Sequence, residues 1–241
     1  MHKNPVCRAA LLLAVCLLAG LLAGCGSGGA AGGKTIRRDA VESTERQFTG
    51  PADGDTIAVF DTSAGEIRAV LYPDAAPQAC ANFTGLAQQG FYNEMAFSRL
   101  VYGFCVEAGQ DAEGASSTIW NGSGFAPETT DTLHHYSGAL CAPVDESGKC
   151  GGVFYFMQTL PQAPEQELLD QMTAAGYRQE VIDAFTAAGG APYLDYTDTV
   201  FGQVYSGMDV VDAIAQAEVD ENGKPLEDIV IHSISIETYT S

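Results

Sequence analysis

The sequence predicts a mainly β domain, built as a closed antiparallel barrel with a helical hairpin inserted in it. Three observations carry that expectation. Short β-rich runs recur along the chain, helical periodicity is confined to isolated stretches, and no strand–helix–strand rhythm suggests a parallel sheet. A barrel this small is filled by its own side chains, so a site belongs on its outer wall or rim.

Regular structure is expected from Asp55 onward. Residues 56–62 and 66–72 are β-rich and flank Ser63-Ala64-Gly65, a hairpin signal. Asp74-Ala75-Ala76-Pro77 opens a helix, with proline suited to its first turn. Cys80, Phe83, Leu86 and Ala87 fall on one face of it, and Gly90 closes it. The next strand, within residues 95–109, sets Arg99 among apolar and aromatic neighbours and is followed by Phe104. Arginine stays charged and holds its donors in a rigid planar fork. Beside apolar surface such a group can aim hydrogen bonds at a bound amide. The plainer alternative is a strand arginine whose stem snorkels to water.

Residues 109–124 are rich in Gly and Ser and read as a loop, with Trp120 packing over it. Residues 136–143 and 153–160 are two further strands. Residues 164–189 change character: Leu168, Leu169, Met172 and Ala175 share one helical face, and Val181, Ile182 and Phe185 another, with Gly176 between. That pattern is a helical hairpin placed between strands. Residues 197–204 resume strand character, Met208 to Ala215 form a helix, and residues 229–236 alternate as a closing strand. His134 and His135 are adjacent, so alternation along a strand would send them to opposite faces and preclude a shared metal.

The N-terminus is not part of this fold. Lys3 and Arg8 precede an apolar run, residues 9–22, too short to span a bilayer comfortably. Leu22-Ala23-Gly24-Cys25 resembles the lipobox of bacterial lipoproteins. It implies a signal peptide over 1–24, acylation of Cys25, and an extracytoplasmic protein anchored to the membrane by lipid alone. Residues 25–54 then form a flexible tether and a polar spacer, and the domain spans 55–241. About 215 of the 241 residues remain after the signal, enough for one sizeable core. A formal net charge of -20 repels nucleic acid and anionic headgroups, so neither is an expected partner.

Of the seven cysteines, Cys80, Cys105, Cys141 and Cys150 belong to the domain. Cys141 and Cys150 bracket a short polar loop and form the first candidate disulfide in an oxidising exterior, with free buried thiols as the alternative. Their spacing is not that of a zinc site, and no metal or cofactor is expected.

From Asp55 to the end the chain resembles the cyclophilin-type peptidyl-prolyl cis-trans isomerases. The likeness rests on Ala76-Pro77, Asn82-Phe83, Gly90-Phe91-Tyr92, Phe97-Ser98-Arg99-Leu100, Gly103-Phe104 and His135 with Gly138-Ala139-Leu140. Gly151, Phe154, Leu194-Asp195, Val200-Phe201-Gly202 and Gly207-Met208-Asp209-Val210-Val211 follow in order. The resemblance implies an eight-stranded barrel capped by two helices, and isomerisation of Xaa-Pro bonds in exported proteins at the cell surface. It makes Arg99 the catalytic residue and assigns Phe104, Glu107, Tyr155, Tyr193 and Leu194 to substrate binding. A monomer is expected, with Xaa-Pro segments as its partners.

The departures from the family pattern are specific. Ser98 stands for a histidine, Glu107 and Val153 for glutamines, Tyr155 for a phenylalanine and Tyr193 for a tryptophan. Cys141-Ala142-Pro143 replaces Ser-Met-Ala, and Pro143 lacks a backbone donor. These changes leave a second expectation open, a catalytically weak or inactive module that binds proline peptides. A third is a scaffold whose helical insert is the interaction element.

Overall fold

The computed structural model describes residues 34–110, 117–162 and 164–241. The signal peptide, Cys25, the tether up to residue 33 and part of the 109–124 loop lie outside the described residues. The strands are β1 (Thr56–Thr62), β2 (Gly65–Leu71), β3 (Met95–Ala96), β4 (Arg99–Val101), β5 (Cys105–Ala108), β6 (Ala139–Ala142), β7 (Phe154–Met157), β8 (Thr199–Ser206) and β9 (Val230–Thr238). The helices are α1 (Pro77–Gln88), α2 (Gln166–Ala174), α3 (Gln179–Ala188) and α4 (Met208–Ala215).

The nine strands among the described residues belong to one antiparallel sheet, in the order β3-β9-β1-β2-β8-β6-β7-β5-β4. The sheet is curled and open, a half-barrel, which corrects the closed eight-stranded barrel expected from the sequence. The reason lies in residues 95–101. The short strands β3 and β4 are separated only by Phe97 and Ser98, yet they stand at opposite ends of the sheet and share no ladder. The free side of β4 is met instead by a loop, the Leu100 amide donating to the Gly223 carbonyl at 2.7 Å.

The concave side holds the main core. Phe60, Phe154, Phe156 and Phe201 project there from β1, β7 and β8, and Phe83 comes down from α1. The Phe83 ring lies 5.8, 5.5 and 5.2 Å from those of Phe60, Phe154 and Phe201. Each such buried side chain contributes roughly 1.5–3 kcal/mol relative to exposure. The first turn of α1 leaves backbone donors unpaired by the helix itself. The Glu128 carboxylate accepts from Gln78 N and Ala79 N at 2.9 Å each, and its charge suits the positive end of the helix. On the convex side Tyr155, Cys141, Val200, Met157 and Cys105 form a second buried layer.

The helical hairpin of α2 and α3 sits beside the sheet on a cluster of its own, with Met172, Val181, Ile182 and Phe185 closing over Tyr136. The polar segment ahead of Asp55 is docked rather than loose. Arg38 donates to Asp212 on α4 at 2.6 Å and to the Thr159 carbonyl at 2.8 Å. A 3-10 turn, Arg46–Phe48, follows, and the buried Gln47 bonds the His134 carbonyl and Gln203. Arg178 of the hairpin closes on Glu45 at 2.8 Å.

Cys80, Cys105, Cys141 and Cys150 are all free thiols, so the Cys141–Cys150 bridge is not formed. Cys141 points into the convex layer and Cys150 into the concave core, on opposite sides of the sheet. Burial pushes the thiols of Cys80 and Cys105 up to about 12 and that of Cys150 to about 11.

Candidate active site

Sheet register brings the candidate residues into line. Arg99 on β4 faces Glu107 on β5, Glu107 faces Tyr155 on β7, Tyr155 faces Cys141 on β6, and Cys141 faces Val200 on β8. Residues directly opposite one another share a face, so these five form a transverse row across the convex wall. The row runs from a charged edge to an apolar middle.

At that edge Arg99 Nη2 donates to Glu107 Oε2 at 2.8 Å. This hydrogen bond, opposed in part by burial, pushes the already high pKa of the guanidinium further up. Arg99 is 39% exposed while Glu107 is 11% exposed, so the acid is the buried partner and the arginine reaches the surface from it. Among the described residues this is the one side-chain hydrogen bond Arg99 makes, which leaves other donors of its fork free. Ser98 does not extend the polar array outward. Its amide and hydroxyl both turn to the Glu107 carbonyl, at 2.9 and 3.3 Å.

Phe104 lies at the end of the turn that joins β4 to β5, half-buried against the convex layer. Gln158, fully buried, fixes this turn. Its amide donates to the Phe104 carbonyl at 2.8 Å, and its side chain accepts from Gly103 N at 2.8 Å. Its Nε2 is anchored on Asp212 of α4 at 2.8 Å. Leu194 approaches the same layer from a 3-10 turn, Pro192–Leu194, and Tyr193 beside it is 66% exposed. Phe104, Leu194 and Tyr155 therefore belong to one apolar surface beside the Arg99–Glu107 pair. Val153 and Pro143 are half-buried and contribute no side-chain donor.

Tyr155 departs from a plain apolar wall. Its hydroxyl donates to Asp198 Oδ2 at 2.8 Å, and Asp198 Oδ1 also accepts from Val144 N at 3.3 Å. Burial is the main cause that pushes the Tyr155 pKa far up, so the phenol keeps its proton and acts as donor. Neither Gln158 nor Asp198 stood out in the sequence. Each is one polar residue at a strand end, without periodicity or motif to mark it.

The histidine pair requires a correction. His134 and His135 precede β6 in irregular backbone, so strand alternation does not apply, and both rings converge on Asp195. His134 Nδ1 lies 2.7 Å from Oδ2 and His135 Nδ1 2.8 Å from Oδ1. Tyr177 of the hairpin donates to the same carboxylate at 3.0 Å. Burial alone raises the Asp195 carboxyl, but the two imidazoles outweigh it and hold it below the usual carboxylate range. The network sits directly behind Leu194 and fixes its turn.

The sequence and fold match one protein family. The model of the cyclophilin type peptidyl-prolyl cis-trans isomerase/CLD family matches residues 57–236. A protein of Staphylococcus aureus (strain COL) carrying the name of a peptidyl-prolyl cis-trans isomerase is 32% identical over 185 residues, 76% of this chain and 93% of its own. One of Staphylococcus epidermidis is also 32% identical, over 186 residues. The crystal structure of a Cryptosporidium parvum cyclophilin type peptidyl-prolyl cis-trans isomerase superposes with a TM-score of 0.60 at 19% identity, covering 77% of this chain and 99% of that one. A second crystal structure of that protein, in the presence of the dipeptide Ala-Pro, gives 0.59. The chain belongs to the cyclophilin-type peptidyl-prolyl cis-trans isomerases.

Proposed function

We propose that this isomerase works through Arg99 on Xaa-Pro bonds held against Phe104, Tyr155 and Leu194, with Tyr193 at the rim. Rotation about a peptide bond is opposed by about 18–20 kcal/mol of amide resonance. As the bond twists, the prolyl nitrogen regains its lone pair and becomes a better hydrogen-bond acceptor. A guanidinium donor placed at that nitrogen therefore binds the twisted state more tightly than either planar one, which is what acceleration requires. The apolar wall holds the pyrrolidine ring, and neither a nucleophile nor a metal takes part. The observation that carries this reading is Arg99, held from behind by Glu107 and half-exposed beside the apolar surface. Its test is isomerisation of an Ala-Pro peptide by the protein: acceleration over the spontaneous rate supports the reading, and its absence refutes it.

A second reading has one observation in its favour. Glu107 occupies a donor of Arg99 and offsets its charge, which suits a module that binds proline segments and turns them over weakly.

The clients are proposed to be exported proteins, met outside the cytoplasm by a lipid-anchored enzyme. This rests on the lipobox-like Leu22-Ala23-Gly24-Cys25 after a short apolar run. Cys25→Ala is expected to release the protein from the membrane fraction or leave it unprocessed. Unchanged, fully processed membrane protein would contradict acylation.

A further inference from the structure

A second hollow adjoins the wall just described. Its volume is about 360 Å3, toward the low end of the ~300–1,000 Å3 typical of small-ligand sites. Gly103, Phe104 and Tyr193 line it on the domain side, and Leu160, Pro164 and Leu168 on the side of the insert. Phe104 and Tyr193 thus belong both to it and to the proposed proline site. A further hollow of about 260 Å3 continues along α2, sharing Glu165 and Leu168 and adding Glu167 and Gln171. The two make a groove that leads from the proline site onto the helical hairpin.

Three features of this groove point to an occupant. Where α3 ends, Gly189 and Gly190 take φ of 76° and 147°. A side chain on Gly190 would strike the His135 carbonyl and the Phe185 ring, so glycine lets the chain return this close to the sheet along the border of the hollow. Thr159 borders the first hollow, and its hydroxyl is buried with no hydrogen-bond partner among the described residues. Glu165 and Glu167 are the charged side chains of the lining, and no lysine or arginine opposes them there.

We infer that the insert builds a second subsite for the client peptide, taking a bulky apolar side chain near the proline and a lysine or arginine beyond it. The inference rests on the isomerase reading, since continuity with the proline site through Phe104 and Tyr193 makes the occupant the same peptide. The apolar side chain fills the space between Phe104 and Leu168, where it removes apolar surface from water. The basic residue meets Glu165 and Glu167, so acidic flanking sequences are disfavoured.

The test compares a capped Ala-Pro tetrapeptide, too short to reach α2, with longer Ala-Pro peptides whose flanks carry either Leu and Arg or Gly and Asp. Isomerisation is measured with the full-length protein, with Leu168→Trp, which fills the groove, and with Glu165→Lys. Leu168→Trp is expected to lower kcat/KM for the Leu/Arg peptide roughly tenfold and to leave the tetrapeptide unchanged. Glu165→Lys is expected to reverse the preference for Arg over Asp. Equal effects on all peptides, or none, would overturn the subsite while leaving the isomerase intact. Should the wild type turn over no peptide, the isomerase reading falls and the subsite is decided by fluorescence anisotropy. Tighter binding of the Leu/Arg peptide, lost in Leu168→Trp, then supports it, and equal binding by both proteins overturns it.

Discussion

In the proposed mechanism, Glu107 is the residue on which the efficiency of the site turns. It lies under Arg99 at 2.8 Å and is more buried than the group it holds. A partly exposed pair of this kind is worth about 0.2–1 kcal/mol. Glu107→Gln keeps an acceptor for Nη2 but frees the arginine from a compensating charge. The expected result is a rise in kcat/KM of up to roughly fivefold, the same energy expressed as a rate. A fall would show that the carboxylate orients Arg99 rather than restrains it. The cysteines yield a second residue-scale prediction. With thiols raised to about 11 or 12 by burial, Cys80, Cys105 and Cys150 carry almost no thiolate near neutrality. Native protein is expected to resist alkylation at pH 8 and to react at all four domain cysteines once unfolded. Rapid labelling of the native domain would contradict the packing described. Arg99 and Phe104 were legible in the sequence because a charge in an apolar strand and an aromatic after a glycine are local signals. The Tyr155–Asp198 bond and the meeting of both histidines on Asp195 were not, since each joins residues more than 40 positions apart.

Among the elements, β1 over Thr56–Thr62 and the helix from Pro77 follow the expected limits, because alternation and turn residues at these places agree. The hairpin α2–α3 falls within the expected residues 164–189 and has its own apolar cluster, apart from the concave core. What its periodicity could not disclose is the surface that receives it. Tyr136 is fully buried beneath Phe185 at a ring separation of 4.4 Å, and Tyr177 and Arg178 reach Asp195 and Glu45. Replacing residues 164–189 with a short Gly/Ser linker is therefore expected to leave a cooperatively folding sheet of lower stability. Uncovering Tyr136 alone costs about 1.5–3 kcal/mol. Urea unfolding followed by circular dichroism measures the loss, and a failure of the shortened protein to fold would place the hairpin inside the main core.

At the scale of the molecule, strand content was readable and closure was not. Whether a sheet closes depends on which strands meet at its ends, and β3, with two residues, carries almost no pattern of its own. The polar segment ahead of Asp55 reads from its composition as a spacer. What composition does not disclose is its docking: Arg38 on Asp212 and Gln47 on Gln203 tie it to α4 and β8. Asp212 receives both Arg38 and Gln158, so the docked segment connects through α4 to the turn that carries Phe104. The whole fold thus converges on one edge, where β4 offers Arg99. The most direct measurement is the isomerisation rate of an Ala-Pro peptide by wild type, Arg99→Lys and Arg99→Ala, with peptide binding followed in parallel. A donor used in the transition state is worth about 2.7–4 kcal/mol, so both variants should lose some two to three decades in kcat/KM. Lysine keeps the charge but not the planar fork, and is expected to rescue little. Wild-type activity that survives Arg99→Ala undiminished would contradict the account.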